Sequence, residues 1–344
     1  MKDIAEVLGL HPSSVSLAMR DSPRIARATK ERIHAQALSM GYRPDPELTL
    51  YNTKRHTANS TASRGCIAFI IDQTPPELGG NWSRELILDG LRSQAAAMGY
   101  TVDLFHLGKT GYSGQQLKRI LLARGIRGVV FAMPLEQTGG VLPEAGPFLP
   151  VWVGATNINN RMDSFAPDYH QGARLSLRAL RQLGYLRPGL VCRGSLGDEY
   201  FMTGYYAEYA SQGIQWPHPP FVGKEWNNTD LLALERWFGE GNYDALMCAD
   251  PNFALRLGTG FLARLGSPPF VCLDKPDTRT DLAGINSNWR TVGAEVMKSL
   301  YPMLHRDMNR SALDSSSTTY IPVGWCEGPS VCPKSTRLFL PTPS

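Results

Sequence analysis

The chain has 344 residues, 42% of them hydrophobic, and carries 35 Lys and Arg against 31 Asp and Glu, a net charge of +4. This is enough apolar material for a sizeable core, yet no apolar run approaches the length of a membrane span, so a spanning protein is excluded. The opening MKDIAEVLGL lacks a signal-peptide pattern. Cys66, Cys192, Cys248 and Cys272 lie in apolar strand-like runs, the ordinary setting of a buried free thiol. Cys326 and Cys332 lack a second pair at zinc-site spacing, so no metal or cofactor is expected, and the expected compartment is the cytoplasm with its reduced thiols.

Two very short amphipathic segments come first. In DIAEVLGLHPSSVSLAMR, residues 3–20, Ile4, Val7 and Leu8 share one stripe, and Val15, Ala18 and Met19 repeat the spacing after a break. Gly9 supplies a left-handed turn between them, and Pro12 suits the first turn of the second helix, where its missing N–H costs nothing. Neither helix is long enough to persist alone. A third, ATKERIHAQALSMG, offers Ile33, Ala37 and Leu38 to the same small core and stops at Gly41. Three short helices with a tight turn between the first two form the helix-turn-helix pattern, whose second helix enters the DNA major groove. Charge favours DNA binding over a plain helical cap. Residues 1–64 hold ten of the Lys and Arg and six of the Asp and Glu, so they carry the whole net charge, and the other 280 residues balance at 25 of each.

The run KDIAEVLGLHPSSVSLAMRDSPRIARATKERIHAQALSMGYRPDP resembles the head of LacI/GalR-family transcriptional regulators, through DIA, the SVS of the second helix, T-x-E-R-I and the closing GYRP in fixed order. The resemblance implies a recognition helix that meets the bases through Pro12, Ser13, Ser14, Ser16 and Leu17. Leu17 stands where Arg is common, so a bidentate guanine contact is missing there. Arg20, Arg24, Lys30 and Arg43 are the candidate phosphate contacts. Family chains carry a few residues before KDIA with a Thr or Ser capping the first helix; here either Asp3 caps it or the true start lies upstream of Met1.

Residues 43–64, RPDPELTLYNTKRHTANSTASR, are dominated by Pro, Thr, Ser, Asn and basic residues and lose the hydrophobic period, as a linker does. In the family this stretch is a hinge helix that wedges a Leu into the minor groove. Tyr51 occupies that position with Leu50 beside it, and both a hinge helix and a flexible spacer stay open. The expected division is a head at 1–44, a hinge or linker at 45–64 and a core at 65–344.

From Cys66 onward strands and helices alternate: CIAFIID, a helix near 83–98, TVDLFHL, a helix near 114–124 and GVVFAMP. GLVC, DALMCAD and FVCLD follow, with helices near 170–183, 199–213, 229–239 and 251–265. Unbroken apolar strands joined by amphipathic helices mean an α/β fold with parallel sheet covered on both faces, and two series mean two doubly wound lobes. The resemblance implies the type I periplasmic-binding-protein architecture, crossed three times by the chain. The first lobe then takes about 65–166 and 287–315, the second about 167–286 and 316–333. The helix near 289–307 returns to the first lobe, and the last strand, around TTYIPVGWC, goes to the second.

Signs of catalysis fail on inspection. LGKTG at 107–111 resembles a P-loop, but the first Gly of that motif would fall at Asp103. GTGFLA at 258–263 resembles a dinucleotide fingerprint but falls inside a helix rather than after a strand. No G-x-S-x-G elbow or metal-spaced His pair appears, so no enzyme is expected.

Polar and aromatic residues do gather just beyond strand C-termini, where open α/β sheets bind ligands. Asp72, Arg193, Asp250 and Asp274 end strands, while Trp82, Arg84, Asp168, Phe253, Asn288 and Trp289 lie in adjoining loops or first turns. Aromatic faces with Asp, Asn and Arg edges suit a sugar, although an Asp or Asn after a strand is often only a cap. The resemblance implies that Asp274, in LD, binds sugar hydroxyls. It places Asp168 of PDY at the lobe junction, puts Asp250 where the family has Asn, and puts Phe201 where sugar-responsive relatives carry a clamping Arg. The expected protein is a homodimeric regulator of the repressor type, reading a palindromic operator under control of a small effector, expected to be a carbohydrate. A solute-binding module without a regulatory role and a nucleotide-using α/β enzyme are the alternatives.

Overall fold

The computed structural model describes residues 2–19, 25–40, 65–72, 81–108, 111–132, 147–155, 162–194, 196–214, 219–223, 228–250, 253–305 and 316–334. The chain forms two compact units, one built on residues 1–64 with 305–309, the other on 65–304 with 310–344.

The smaller unit holds helices α1 (Lys2–Leu8), α2 (Pro12–Met19) and α3 (Arg27–Ser39). Ile4, Ala5, Val15, Ala18, Ile33 and Ala37 are buried together, with Leu8, Leu10 and Ile25 packed against them. Gly9 has φ +64° with open space around it, so glycine serves the turn there and not a close approach. Val7 does not join this core: it is 60% exposed. Ala5 takes the inner place, because the buried arc of α1 runs from Ile4 through Leu8 to Ala5 and Val7 lies about 60° beyond its Ile4 edge. The side chains of Asp3, Ser16, Met19 and Leu38, and Gly41 itself, fall outside the described residues.

The larger unit contains two six-stranded sheets. The first lobe is built on β1 (Gly65–Asp72), β2 (Tyr100–Leu107), β3 (Gly128–Phe131), β4 (Leu149–Val153) and β5 (Asp163–Pro167), with α4 (Asn81–Ala97) and α5 (Gly114–Ala123) between them. The second lobe is built on β6 (Pro188–Cys192), β7 (Phe221–Val222), β8 (Ala245–Cys248), β9 (Phe270–Cys272) and β10 (Ala283–Asn286). Its helices are α6 (Tyr169–Gln182), α7 (Leu196–Ser211), α8 (Asn228–Glu240) and α9 (Phe253–Arg264). Every residue of β3 and of β8 is buried, as the unbroken apolar runs GVVF and ALMC require of strands covered on both faces. Helix α10 (Trp289–His305) returns to the first lobe, where Gly90 and Gly293 let it lie directly against α4: a Cβ on either would collide with backbone of the other helix.

The stretch TTYIPVGWC is not one strand of the second lobe. It divides into β11 (Thr318–Ile321), parallel to β5 at the edge of the first sheet, and β12 (Gly324–Cys326), antiparallel to β10 at the edge of the second. Pro322 has no N–H to give a ladder and marks the break. The sheet orders are therefore β11-β5-β4-β3-β1-β2 and β12-β10-β9-β8-β6-β7. β11 leaves the first sheet at its C-terminal edge and two residues carry the chain to the same edge of the second, so β12 can only run inward, against its neighbours.

Candidate functional site

The exposed face of the helical unit is set by how α2 packs. With Val15 and Ala18 turned inward, Pro12 and Ser13 are exposed and Ser14 and Leu17 half-buried at the rim. The carbonyl of His11 accepts from Ser14 N at 2.9 Å, and its Nδ1 lies 2.7 Å from Ser13 Oγ, so His11 caps the helix that Pro12 begins. Lys30 is half-buried on α3. Arg20, Arg24, Arg43, Leu50 and Tyr51 lie outside the described residues.

In the larger unit the three crossings between lobes run side by side. The first is at Pro167–Tyr169, the second at Asn286–Trp289 and the third at Ile321–Gly324. Asp168 N donates to the carbonyl of Ile321 at 2.9 Å, while the Asp168 carboxylate caps α6 by accepting from Gln171 N at 2.9 Å. Asn288 Nδ2 donates to the carbonyl of Pro322 at 2.7 Å, and its N–H to Asn286 Oδ1 at 2.8 Å. Asn288 itself has φ +52°, in the left-handed region that Asn tolerates better than most residues. Asp168 and Asn288 are thus hinge residues by their bonding.

Asp274, two residues beyond β9, meets this hinge. One oxygen, Oδ1, accepts from Ser287 Oγ at 2.6 Å and from Trp289 Nε1 at 2.9 Å. Burial pushes its carboxyl up to about 6 against the pull of those two donors. Tyr169 stands beside it, its ring edge-on to Phe201 at 4.9 Å and to Trp289 at 6.4 Å. The Tyr169 hydroxyl is held far above its usual range by burial first and then by the charges of Asp274 and Asp198.

At the neighbouring strand ends Arg193 Nη1 approaches Asp250 Oδ2 at 3.5 Å, and Arg193 N donates to Asp198 Oδ2 at 3.0 Å. Asp250 is 8% exposed, and Asp198 is buried as well. Arg193, Asp250 and Asp274 therefore stand at one edge of the second sheet, above the buried thiols of Cys192, Cys248 and Cys272, all three pushed up chiefly by burial.

Trp82 and Arg84 sit half-buried in the first turn of α4. Asp72 closes β1, but its side chain is not among those described. Two further expected ligand contacts are buried against aromatic neighbours. Phe253 is 2% exposed and stacks on Phe270 at 5.8 Å in the outer core of the second lobe, because the first turn of α9 aims it at β9. Phe201 is 2% exposed and lies behind Tyr169, which takes the outer position. Sequence reasoning missed Ser287 and Asp198. Their only local signal is a small polar residue next to a strand or helix end, which most often means a cap.

Beside the LGKTG run, Tyr112 N donates back to the carbonyl of His106 at 2.9 Å, while Lys109 and Thr110 lie outside the described residues. GTGFLA lies within α9. Among the described residues no group of His, Cys, Asp and Glu is placed to hold a metal ion, and no helix is long and apolar enough to cross a membrane.

A three-helix head with a helix-turn-helix, joined in one chain to two parallel-sheet lobes that share a three-stranded hinge, defines a ligand-controlled DNA-binding regulator. Comparison with known proteins agrees. The chain is 25% identical over 270 residues to the HTH-type transcriptional regulator GalR of Escherichia coli, covering 74% of this chain and 72% of that one. It is 27% identical over 187 residues to the maltose regulon regulatory protein MalI of the same organism, covering 54% and 51%. A transcriptional regulator CelR–cellobiose complex has the same fold, with TM-score 0.58 and 15% identity over 95% of this chain and 98% of that one. So has a lac repressor dimer bound to operator and an anti-inducer, with TM-score 0.54 and 17% identity over 96% and 98%. No family model matches the chain. The chain is thus similar in sequence and in fold to transcriptional regulators of the LacI/GalR family, a family that is not enzymatic.

Proposed function

We propose that the protein is a homodimeric repressor that binds a palindromic operator and answers to a small carbohydrate held between its lobes in the cytoplasm. The observation that carries this reading is the conjunction of an exposed Pro12–Ser13 helix start with a hinge whose three strands lie within hydrogen-bond reach of one another. Residues 1–44 serve as the head, 45–64 as the hinge or linker and 65–344 as the core. Ser13, Ser14 and Leu17 read bases, with Pro12 and Ser16 beside them, and Lys30, Arg20, Arg24 and Arg43 hold phosphates. Leu50 or Tyr51 serves the minor groove.

Facing the ligand are Trp82, Arg84, Asp72, Arg193, Asp250, Asp274 and Trp289, with Tyr169 in the position foreseen for Phe201. That the CelR structure holds cellobiose, and a LacI-family regulator of the same fold from Enterococcus faecium holds ribose, supports a sugar effector. Two copies are needed because one short recognition helix reads only a half-site.

Selection of binding sites from random duplex DNA by the full chain should return a two-fold symmetric sequence. Its affinity should fall steeply with salt and change with cellobiose, maltose or ribose. A salt-insensitive complex, or no enriched symmetric site, overturns the reading.

A further inference from the structure

Asp274 comes from none of the three crossings. It ends a strand of the second sheet, yet both of its donors belong to the second crossing, one on each side of Asn288. Ser287 precedes the left-handed residue. Trp289 follows it and is already the first residue of α10, the helix that Gly90 and Gly293 seat against α4 in the first lobe. The bond from Trp289 Nε1 to Asp274 therefore joins the first lobe to the second directly, without passing along the chain.

Its chemistry is that of a fastening. A carboxylate oxygen taken out of water and accepting from an indole N–H and a hydroxyl makes stronger bonds than a neutral pair would, and leaving either donor unpaired in that setting is costly. Asn288 is in turn held from two sides, by the carbonyl of Pro322 and by Asn286 Oδ1.

We propose that Asp274 is a strap across the lobe boundary, with Asn288 as the pivot it holds: the carboxylate fixes the lobe angle by gripping both flanks of the one left-handed residue at the hinge. Asp274 is a positioning residue in this role, whatever else it touches. Rotation of one lobe against the other turns the backbone at Asn288 and carries the Trp289 indole away from the carboxylate. The angle is free to change only when that bond breaks.

The test needs no effector. Labels carried by an unnatural amino acid, which spares the six thiols, are placed at exposed Leu104 in the first lobe and exposed Leu232 in the second of the full chain. The distance between them is then measured by pulsed electron spin resonance. The parent should give one narrow distribution. Trp289→Phe, which keeps the ring but loses the N–H, and Ser287→Ala should broaden it, and Ser287→Thr should restore the parent width. Tyr205→Phe removes a buried hydrogen bond to the carbonyl of Pro188 within the second lobe and should lower the melting temperature without broadening. Should Trp289→Phe fail to fold, Ser287→Ala and its Thr rescue decide the matter. A parent-like distribution in Ser287→Ala, or broadening by Tyr205→Phe equal to that of the hinge variants, overturns the proposal.

Discussion

Laid side by side, the two lobes follow one plan. β2-β1-β3-β4-β5-β11 and β7-β6-β8-β9-β10-β12 are the same sequence of arrivals, and only the last strand differs in direction. In each lobe the helix after the first strand packs on the helix that enters from the other lobe, and a glycine makes the contact: Gly90 and Gly293 between α4 and α10, Gly204 against the carbonyl of His170 between α7 and α6. The chemistry on this shared frame diverges. After β4 come Gly154 and Ala155; after β9, at the matching edge, come Leu273 and Asp274. On the helix pair of the first lobe, Arg290 and Asp89 form an exposed ion pair, whereas in the second Glu208 is buried beneath Arg174 and Arg178 of α6 at 2.9 and 2.8 Å. The frame supplies an edge and a helix pair, and a handful of residues decide what those features do.

The largest effect should come from the glycines. Gly204→Ala and Gly90→Ala each force two helices apart and should cost about 1 to 3 kcal/mol, read as a lower melting temperature. A clear loss in one lobe and none in the other would show that the two helix pairs are not equivalent.

Next come the ion pairs. Glu208→Gln should cost about 2 kcal/mol at neutral pH, while Asp89→Asn should cost less than about 1, because a solvated pair contributes little. The hydrogen bonds from Arg178, more than those from Arg174 and Gln212, hold the Glu208 carboxyl down to about 2. Its stabilisation is thus full above the ordinary carboxylate range and is lost as pH falls toward 2, where parent and Glu208→Gln should converge in denaturant titrations.

Asp274 should behave in the opposite sense. Its folded carboxyl titrates near 6, above the unfolded value, so the folded chain binds the extra proton. The stability this contributes is present below about pH 4 and lost as pH rises through about 6. Asp274→Asn, which keeps an acceptor oxygen for Ser287 and Trp289, should flatten that slope between pH 4 and 6.

The smallest expected change lies in the first lobe. The indole N–H of Trp152, 3% exposed and stacked on Phe131, has no hydrogen-bond partner among the described residues. Trp152→Phe should therefore lose little and can raise stability by roughly 1 kcal/mol in thermal unfolding.

Much of the frame could be read in advance, because buried parallel strands and amphipathic helices write themselves as local runs: GVVF, ALMC and the helix near 289–307 needed no tertiary information. Short strands such as DSFAP and AGIN left no comparable run and emerge only through their neighbours. At the hinge, Asp274 stood out as an acid after an apolar strand, but its partners Ser287 and Trp289 lie 13 and 15 residues away and nothing local links them. Phe201 and Phe253 pose the same difficulty: an aromatic near a strand end looks alike in sequence whether it faces a cleft or the core. Leu17 and Ser13 were placed by a pattern local to forty residues, which is why the head was the more legible part.

The triple crossing also bears on how the core comes apart. Neither sheet is a contiguous length of chain: β11 belongs to the first lobe but follows all the inner strands of the second, and β12 closes the second only after the chain has left the first. No single cut excises either lobe as a foldable fragment, and a protease nick at one crossing leaves the pieces knitted by the other two. The core is thus topologically a single cooperative unit that looks like two, and calorimetry should record one endotherm for it where the outline promises a pair.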